Sequence, residues 1–247
     1  MEALIELSGL AKNYGGRPAV RGISLTIPAG EVFGLLGPNG AGKSTTLKML
    51  ATLLRPTGGS ARIVGHDLVA EPNEVRKVIG YVPEGAELYE ALSGEEFLDL
   101  VRDLHRVPPE AAEARRLPLA EAFAIRQDLG RPMGEYSKGM KQKVLLIAAL
   151  QHEPRVLLLD EPLDGLDVPA QEALKYLLRE RAARGCCIVY SSHILEVVEK
   201  VCDRVGIVHQ GLLVALGPPH QLTVASGDES LAKLFLRTTA ETAPAEG

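Results

Sequence analysis

Apolar and polar positions alternate in short runs over the first 36 residues: Leu4-Ile5-Glu6-Leu7, Ile23-Ser24-Leu25-Thr26-Ile27 and Val32-Phe33-Gly34-Leu35-Leu36. Turn formers separate them (Asn13, Gly15, Gly16, Pro28, Gly30), which predicts a β-rich start. A glycine-rich segment at 37–42 follows the third run. Residues 43–54 then read as a helix, stopped by Pro56 and Gly58-Gly59, with another strand at 60–64. Helical patterns follow at 94–104, 110–124 and 138–150, broken at Pro108-Pro109 and at 130–134. Segment 85–153 therefore reads as a helical lobe inserted in an α/β core. Residues 156–159 are apolar throughout, as in a strand buried in a parallel sheet. A helix at 168–184, a strand at 186–190, a helix at 194–201 and a strand at 204–208 follow. Residues 212–216 are placed to pair with that last strand across the Gln210-Gly211 turn, and no internal repeat is found.

Composition narrows the class. The chain has 247 residues, 46% apolar and 24% charged, which is ordinary for a globular protein able to bury a full core. The net charge of -5 disfavours general nucleic-acid binding, because a chain that clamps phosphates along a duplex is usually basic. Three cysteines, two of them adjacent (Cys186 and Cys187), give no even-numbered framework and no CxxC pair, so disulfides and zinc are not expected. The start carries Glu2 and Glu6 where a signal peptide wants base, and no apolar run approaches the ~18 residues that cross a bilayer. A soluble protein is expected, with docking on a membrane protein left open.

The chemistry begins at Gly37-Pro38-Asn39-Gly40-Ala41-Gly42-Lys43-Ser44, which fits GxxxxGK[ST] in full. Glycines let backbone N–H groups curl around a phosphate, and the following helix points its positive end at the same anion. Lys43 can reach the β and γ phosphates, and the Ser44 hydroxyl can ligate Mg²⁺. Downstream, Val156-Leu157-Leu158-Leu159-Asp160-Glu161 is an apolar strand ending in two acids. Ligands of open α/β sheets sit beyond the carboxyl ends of strands. Asp160 is then placed to hold Mg²⁺, directly or through water, and Glu161 to orient or deprotonate an attacking water.

The segment between these motifs says which NTPase this is. Tyr136-Ser137-Lys138-Gly139-Met140-Lys141-Gln142 resembles the signature motif of the ABC ATPases, in a variant with Lys and Met where many members have two small residues. Gly80-Tyr81-Val82-Pro83-Glu84 resembles the Q-loop, Leu163-Asp164-Gly165-Leu166-Asp167 the D-loop and Ser191-Ser192-His193 the H-loop, all in the family's order. The resemblance covers residues 1–220. It implies an α/β fold: a P-loop NTPase core with an N-terminal antiparallel β subdomain and an inserted helical subdomain. The single domain would span 1–237, with 1–84 and 154–220 as core, 85–153 helical, 221–237 a C-terminal helical extension, and 238–247 a frayed tail.

The resemblance also assigns roles. Tyr14 stands where the adenine-stacking aromatic is expected. Residues Gly37, Pro38, Asn39, Gly40, Ala41, Gly42, Lys43, Ser44 and Thr45 would bind ATP. Ser137, Lys138, Gly139 and Met140 would meet the γ-phosphate held by a second subunit, with Asp167 at that seam. His193 would hydrogen-bond the γ-phosphate and Glu161. Ser44, Asp160 and Glu84 would serve Mg²⁺, although Glu84 stands where many members have Gln and adds negative charge beside triphosphate. Implied partners are a second ATPase subunit, in a homodimer, and an integral membrane permease on another chain, contacted near residues 85–90. The implied place is the cytoplasm, on the inner face of the cell membrane. Glu84 and the Ser-Lys-Gly-Met variant resemble bacterial export ATPases.

Two other classes fit less well. Non-transport members acting on DNA or ribosomes carry a long coiled coil between the motif halves, or two cassettes in one chain, and neither is present. A GTPase or small-molecule kinase would have no use for the signature helix, and no guanine-reading NKxD segment follows the core.

Overall fold

The alternating N-terminal runs fold into antiparallel strands in the computed structural model, which describes residues 2–85, 88–226 and 230–240. Strands β1 (Ala3–Tyr14) and β2 (Arg17–Pro28) form a hairpin. It is extended by β4 (Gly58–Ile63) and β5 (His66–Asp67) into a four-stranded sheet of order β2-β1-β4-β5.

The second sheet carries the site. It contains β3 (Val32–Leu36), β6 (Ile79–Val82), β7 (Val156–Asp160), β8 (Cys187–Ser192), β9 (Arg204–His209) and β10 (Leu212–Gly217). The order is β10-β9-β3-β8-β7-β6, parallel throughout except for β10, which runs back along β9. Side chains alternate across a strand, so each strand feeds two cores. Phe33, Leu35, Leu158 and Val189 pack toward the antiparallel sheet and α1 (Lys43–Leu50). Val32, Leu36, Leu157, Leu159, Ile188 and Tyr190 pack on the opposite side, with α6 (Val168–Ala183) and the helical lobe.

That lobe consists of α3 (Gly94–Leu104), α4 (Pro109–Ala122) and α5 (Lys138–Leu150). Helix α3 opens on a capping box: the Ser93 hydroxyl accepts from the Glu96 N–H, and the Glu96 carboxylate accepts from the Ser93 N–H at 2.8 Å. Helix α5 buries every residue from Gln142 to Leu150, which explains its continuous apolar run. The remaining helices are α2 (Pro72–Val78), α7 (Leu195–Val201), α8 (Pro219–Ser226) and α9 (Leu231–Ala240). Among the described residues, no helix is long and apolar enough to cross a membrane. All three cysteines are buried and unpaired.

Two expectations need correction, and one helix goes beyond them. The helix after the glycine-rich loop ends at Leu50, not at residue 54. Thr52 takes a left-handed φ of 59° there. Its N–H bonds to the Met49 carbonyl and the Leu53 N–H to the Lys48 carbonyl, which closes a Schellman cap with a non-glycine residue at its turn. Helix α2 was not foreseen; Pro72 at its first turn and Arg76 and Lys77 in its last are the signals. Of the tail expected to fray from residue 238, the first three residues belong to a helix. Thr238 and Thr239 lie in α9, with the Thr239 hydroxyl donating to the Phe235 carbonyl at 2.8 Å. Residues 241–247 lie outside the described residues.

Candidate active site

The connection from β3 to α1 is built for an anion. A Cβ on Gly42 would stand 2.5 Å from the Ala19 carbonyl oxygen, and its φ is 109°, so only glycine fits. The loop and the first turn of α1 wall a cavity of about 280 Å3, lined by Ala19, residues 38–45, Glu84 and Glu161. The first turn of α1, the positive end of that helix, lies on this wall. Pro38, Asn39, Gly40, Ala41, Gly42, Lys43, Ser44 and Thr45 thus share one wall. Gly37 lies behind it, and its carbonyl accepts a 2.7 Å hydrogen bond from Lys43 Nζ. Lys43 also donates to the Pro38 carbonyl at 3.3 Å, and its Nζ lies 3.9 Å from Glu161 Oε1.

Strand β7 delivers the two acids, to different depths. Asp160 is 1% exposed and is not on the cavity wall. Its Oδ1 accepts from the Ser191 hydroxyl at 2.6 Å, while Oδ2 is buried without a hydrogen-bond partner. A metal shell needs a carboxylate oxygen of that kind. Mg²⁺ keeps several waters and takes one or two carboxylates plus phosphate oxygens, so buried Asp160 suits a contact through water and Ser44 one from the cavity wall. Glu161 takes a left-handed φ of 48°. For a non-glycine residue that conformation costs on the order of 1–3 kcal/mol and clusters at functional sites. Its Oε2 lies 3.0 Å from His193 Nδ1, so Glu161 sits between Lys43 and His193. Glu84 is exposed and lines the cavity opposite. Tyr14 is 47% exposed near the hairpin turn, under the Lys12 ammonium, and does not line the phosphate cavity.

The signature segment faces elsewhere. Ser137 caps α5, its hydroxyl accepting from the Met140 N–H at 3.2 Å. A Cβ on Gly139 would lie 2.4 Å from the Gly165 carbonyl oxygen, so glycine lets the signature and the 163–167 loop touch. Lys138 Nζ bridges to Asp164 Oδ2 at 2.5 Å. Asp167 caps α6 through the Ala170 N–H at 2.9 Å and pairs with buried Lys143 at 2.8 Å. The Lys143 ammonium and that N–H hold its carboxyl below the usual range. A second cavity of about 300 Å3 opens here, lined by Glu84, Gly85, Tyr136, Lys138, Lys141, Gln142, Leu145, Glu161 and Asp164. Neither Ser137, Lys138, Gly139, Met140 nor Asp167 lines the phosphate cavity. Within one chain the two halves are separate, with Glu84 and Glu161 on both walls.

Sequence reasoning missed Ser191, Lys143 and Ala19. Ser191 was visible only as part of a triplet, and the strand pairing that sets it beside Asp160 is not local in the chain. Lys143 and Ala19 carry no motif of their own.

A phosphate cradle on a parallel sheet, two acids at the end of β7 and a capped signature helix in a separate lobe define an ABC-type ATPase. The comparisons agree: residues 20–164 match the ABC transporter family, and the chain belongs to it. The chain is 37% identical over 242 residues to the daunorubicin/doxorubicin resistance ATP-binding protein DrrA of Streptomyces peucetius, covering 98% of this chain and 73% of that protein. It is 37% identical over 219 residues to the ABC transporter ATP-binding protein NatA of Bacillus subtilis (strain 168), covering 88% and 89%. A solved structure of an ATP binding subunit of an ABC transporter superposes with a TM-score of 0.91 at 35% identity, over 96% of this chain and 99% of that one. The chain is an ATP-binding ABC ATPase.

Proposed function

We propose that this ATPase drives a membrane permease carried on a separate chain, by ATP-dependent closure of a head-to-tail dimer, and that the transport is export. The observation that carries the dimer is the separation of the two half-sites. The phosphate cavity holds residues 38–45, Glu84 and Glu161, whereas the signature lines a different cavity. A second subunit is needed to bring Ser137 and Gly139 onto the γ-phosphate.

The chain's own groups divide the work. Backbone N–H groups of residues 39–45 and Lys43 bind the phosphates and spread their charge. Glu161 takes the proton of the attacking water, and His193 orients it. Tyr14 offers a face to adenine. Ser44, Asp160 through water and Glu84 would hold Mg²⁺, which would supply charge neutralisation to the phosphates. Asp167, tied to Lys143, fixes the 163–167 loop at the dimer seam.

Coupling to a permease is supported by the lobe's surface. Tyr89, just past the Glu84 loop, is 68% exposed, and α3 exposes Leu100 (39%) and Leu104 (74%). Of the expected contact at 85–90, residues 86 and 87 lie outside the described residues. The drug-resistance relative supports export. The chain would work in the cytoplasm, on the inner face of the membrane, as a homodimer without nucleic acid.

The test is an affinity pull-down of the tagged protein from gently solubilised membranes, with mass spectrometry of the partners. A multi-span integral membrane protein is the expected catch. Reproducible capture of only ribosomal or DNA-repair proteins would overturn the transport reading and favour a non-transport ABC ATPase.

A further inference from the structure

Of the two serines before His193, Ser191 is the one hydrogen-bonded to the acids. The Ser192 hydroxyl accepts from the Ile194 N–H at 3.0 Å and is spent on the turn. Ser191 points to the other face of β8. It is fully buried and pairs in register with Asp160 across the parallel β7–β8 ladder. Its Oγ donates to Asp160 Oδ1 at 2.6 Å. The same Oγ accepts from the Glu161 N–H at 3.3 Å, and the Ser191 carbonyl oxygen lies 3.3 Å from that N–H as well.

We propose that Ser191 is a positioning residue that sets both acids of the site at once. This rests on the roles given above to Asp160 and Glu161. A buried carboxylate can swap its two oxygens by rotating about one bond. Donation from Ser191 engages Oδ1 and leaves Oδ2, which is buried and without a hydrogen-bond partner, as the oxygen offered to the metal's water shell. On its other side the hydroxyl oxygen helps hold the Glu161 backbone in its left-handed turn, where φ is 48°. That turn aims the Glu161 carboxylate at His193, 3.0 Å away. Partners of this kind, one step removed from a metal, typically cost about 10–100-fold in metal affinity or activity when lost.

The experiment uses the full chain as wild type, Ser191→Ala and Ser191→Thr. ATP affinity is measured by titration in EDTA and in Mg²⁺. ATPase rate is measured against Mg²⁺, and thermal unfolding alongside. Wild type must bind ATP in EDTA and respond to Mg²⁺. If it lacks the Mg²⁺ response, the metal roles of Asp160 and Ser44 fail, and this proposal with them. Given that response, Ser191→Ala is expected to lower kcat about tenfold with KM within about threefold, and to raise the half-maximal Mg²⁺ concentration several-fold. Its ATP affinity in EDTA should match wild type. Ser191→Thr keeps the hydroxyl on a side chain suited to a strand, and should recover the Mg²⁺ midpoint. The proposal is overturned if Ser191→Ala keeps the wild-type kcat and Mg²⁺ midpoint. It is also overturned if kcat and EDTA affinity fall together with the melting temperature at an unchanged Mg²⁺ midpoint, as for a purely structural serine, or if Ser191→Thr is as impaired as Ser191→Ala.

Discussion

Lys43 is 6% exposed, and a buried ammonium is costly unless its donors are used. The Gly37 and Pro38 carbonyls use two of them, and Glu161 lies close by. This geometry holds Lys43 on the phosphate wall. Hydrogen bonds to charged groups are worth about 1.5–3 kcal/mol. Lys43→Ala is therefore expected to weaken ATP binding by about 10–100-fold in a fluorescent-nucleotide titration, and unchanged affinity would remove Lys43 from the site. Glu84 is a different case. It is exposed, so water and salt screen its charge. Glu84→Gln keeps an oxygen that can face Mg²⁺ and should leave ATP affinity in Mg²⁺ within about twofold, and a large loss would mean that the carboxylate charge itself is needed at the metal. At this scale the sequence was legible wherever chemistry needs a fixed residue type at a fixed spacing, as from Gly37 to Ser44. Burial was not legible. Asp160 reads like any acid at a strand end, yet it lies behind the cavity wall.

Elements were legible where their signals are local. Helix α3 announces itself through Ser93 and Glu96, and α5 through its capping Ser137 and apolar run. The end of α1 was not legible, because Thr52 does there what glycine usually does. How the lobe joins the core depends on contacts distant in sequence. Just past α5, Gln151 Nε2 donates to the Leu98 carbonyl at 2.9 Å, and His152 Nε2 lies 2.9 Å from the Ile79 carbonyl oxygen at the start of β6. The His152 ring stacks on His105 with centroids 3.7 Å apart. Burial, and then the neighbouring His105, push the His152 imidazole down to about 4 from an ordinary 6.5. The folded protein therefore binds fewer protons here than the unfolded chain does. Stability from this group is complete above about pH 6.5 and is lost as pH falls toward about 4, on the order of 3 kcal/mol in all. Urea unfolding from about pH 7.5 to about pH 4.5 should show this loss, and His152→Gln should lose less across the same range. Identical pH dependence in the two proteins would contradict this account.

Across the whole molecule, the order of motifs was readable because each motif is short and follows the chain. The separation of the phosphate loop from the signature was not, because it depends on where the lobe of α3, α4 and α5 settles against the sheet. In the proposed mechanism that separation leaves the molecule incomplete by itself. Glu161 stands on both walls, with its carboxylate between Lys43 and His193. In the proposed dimer, closure requires ATP in the cradle, and reopening requires the Glu161-assisted loss of the γ-phosphate. Glu161→Gln separates these steps. The amide keeps the shape and the hydrogen bonding to His193 but cannot take a proton from water. General-base catalysis contributes about 10²–10⁴-fold, so turnover should fall at least about 100-fold while nucleotide binding persists. With opening blocked, gel filtration in Mg·ATP should show the variant as a dimer that outlasts the wild-type one. A variant that binds ATP with full affinity yet elutes only as a monomer would mean that the two half-sites do not meet across a subunit boundary.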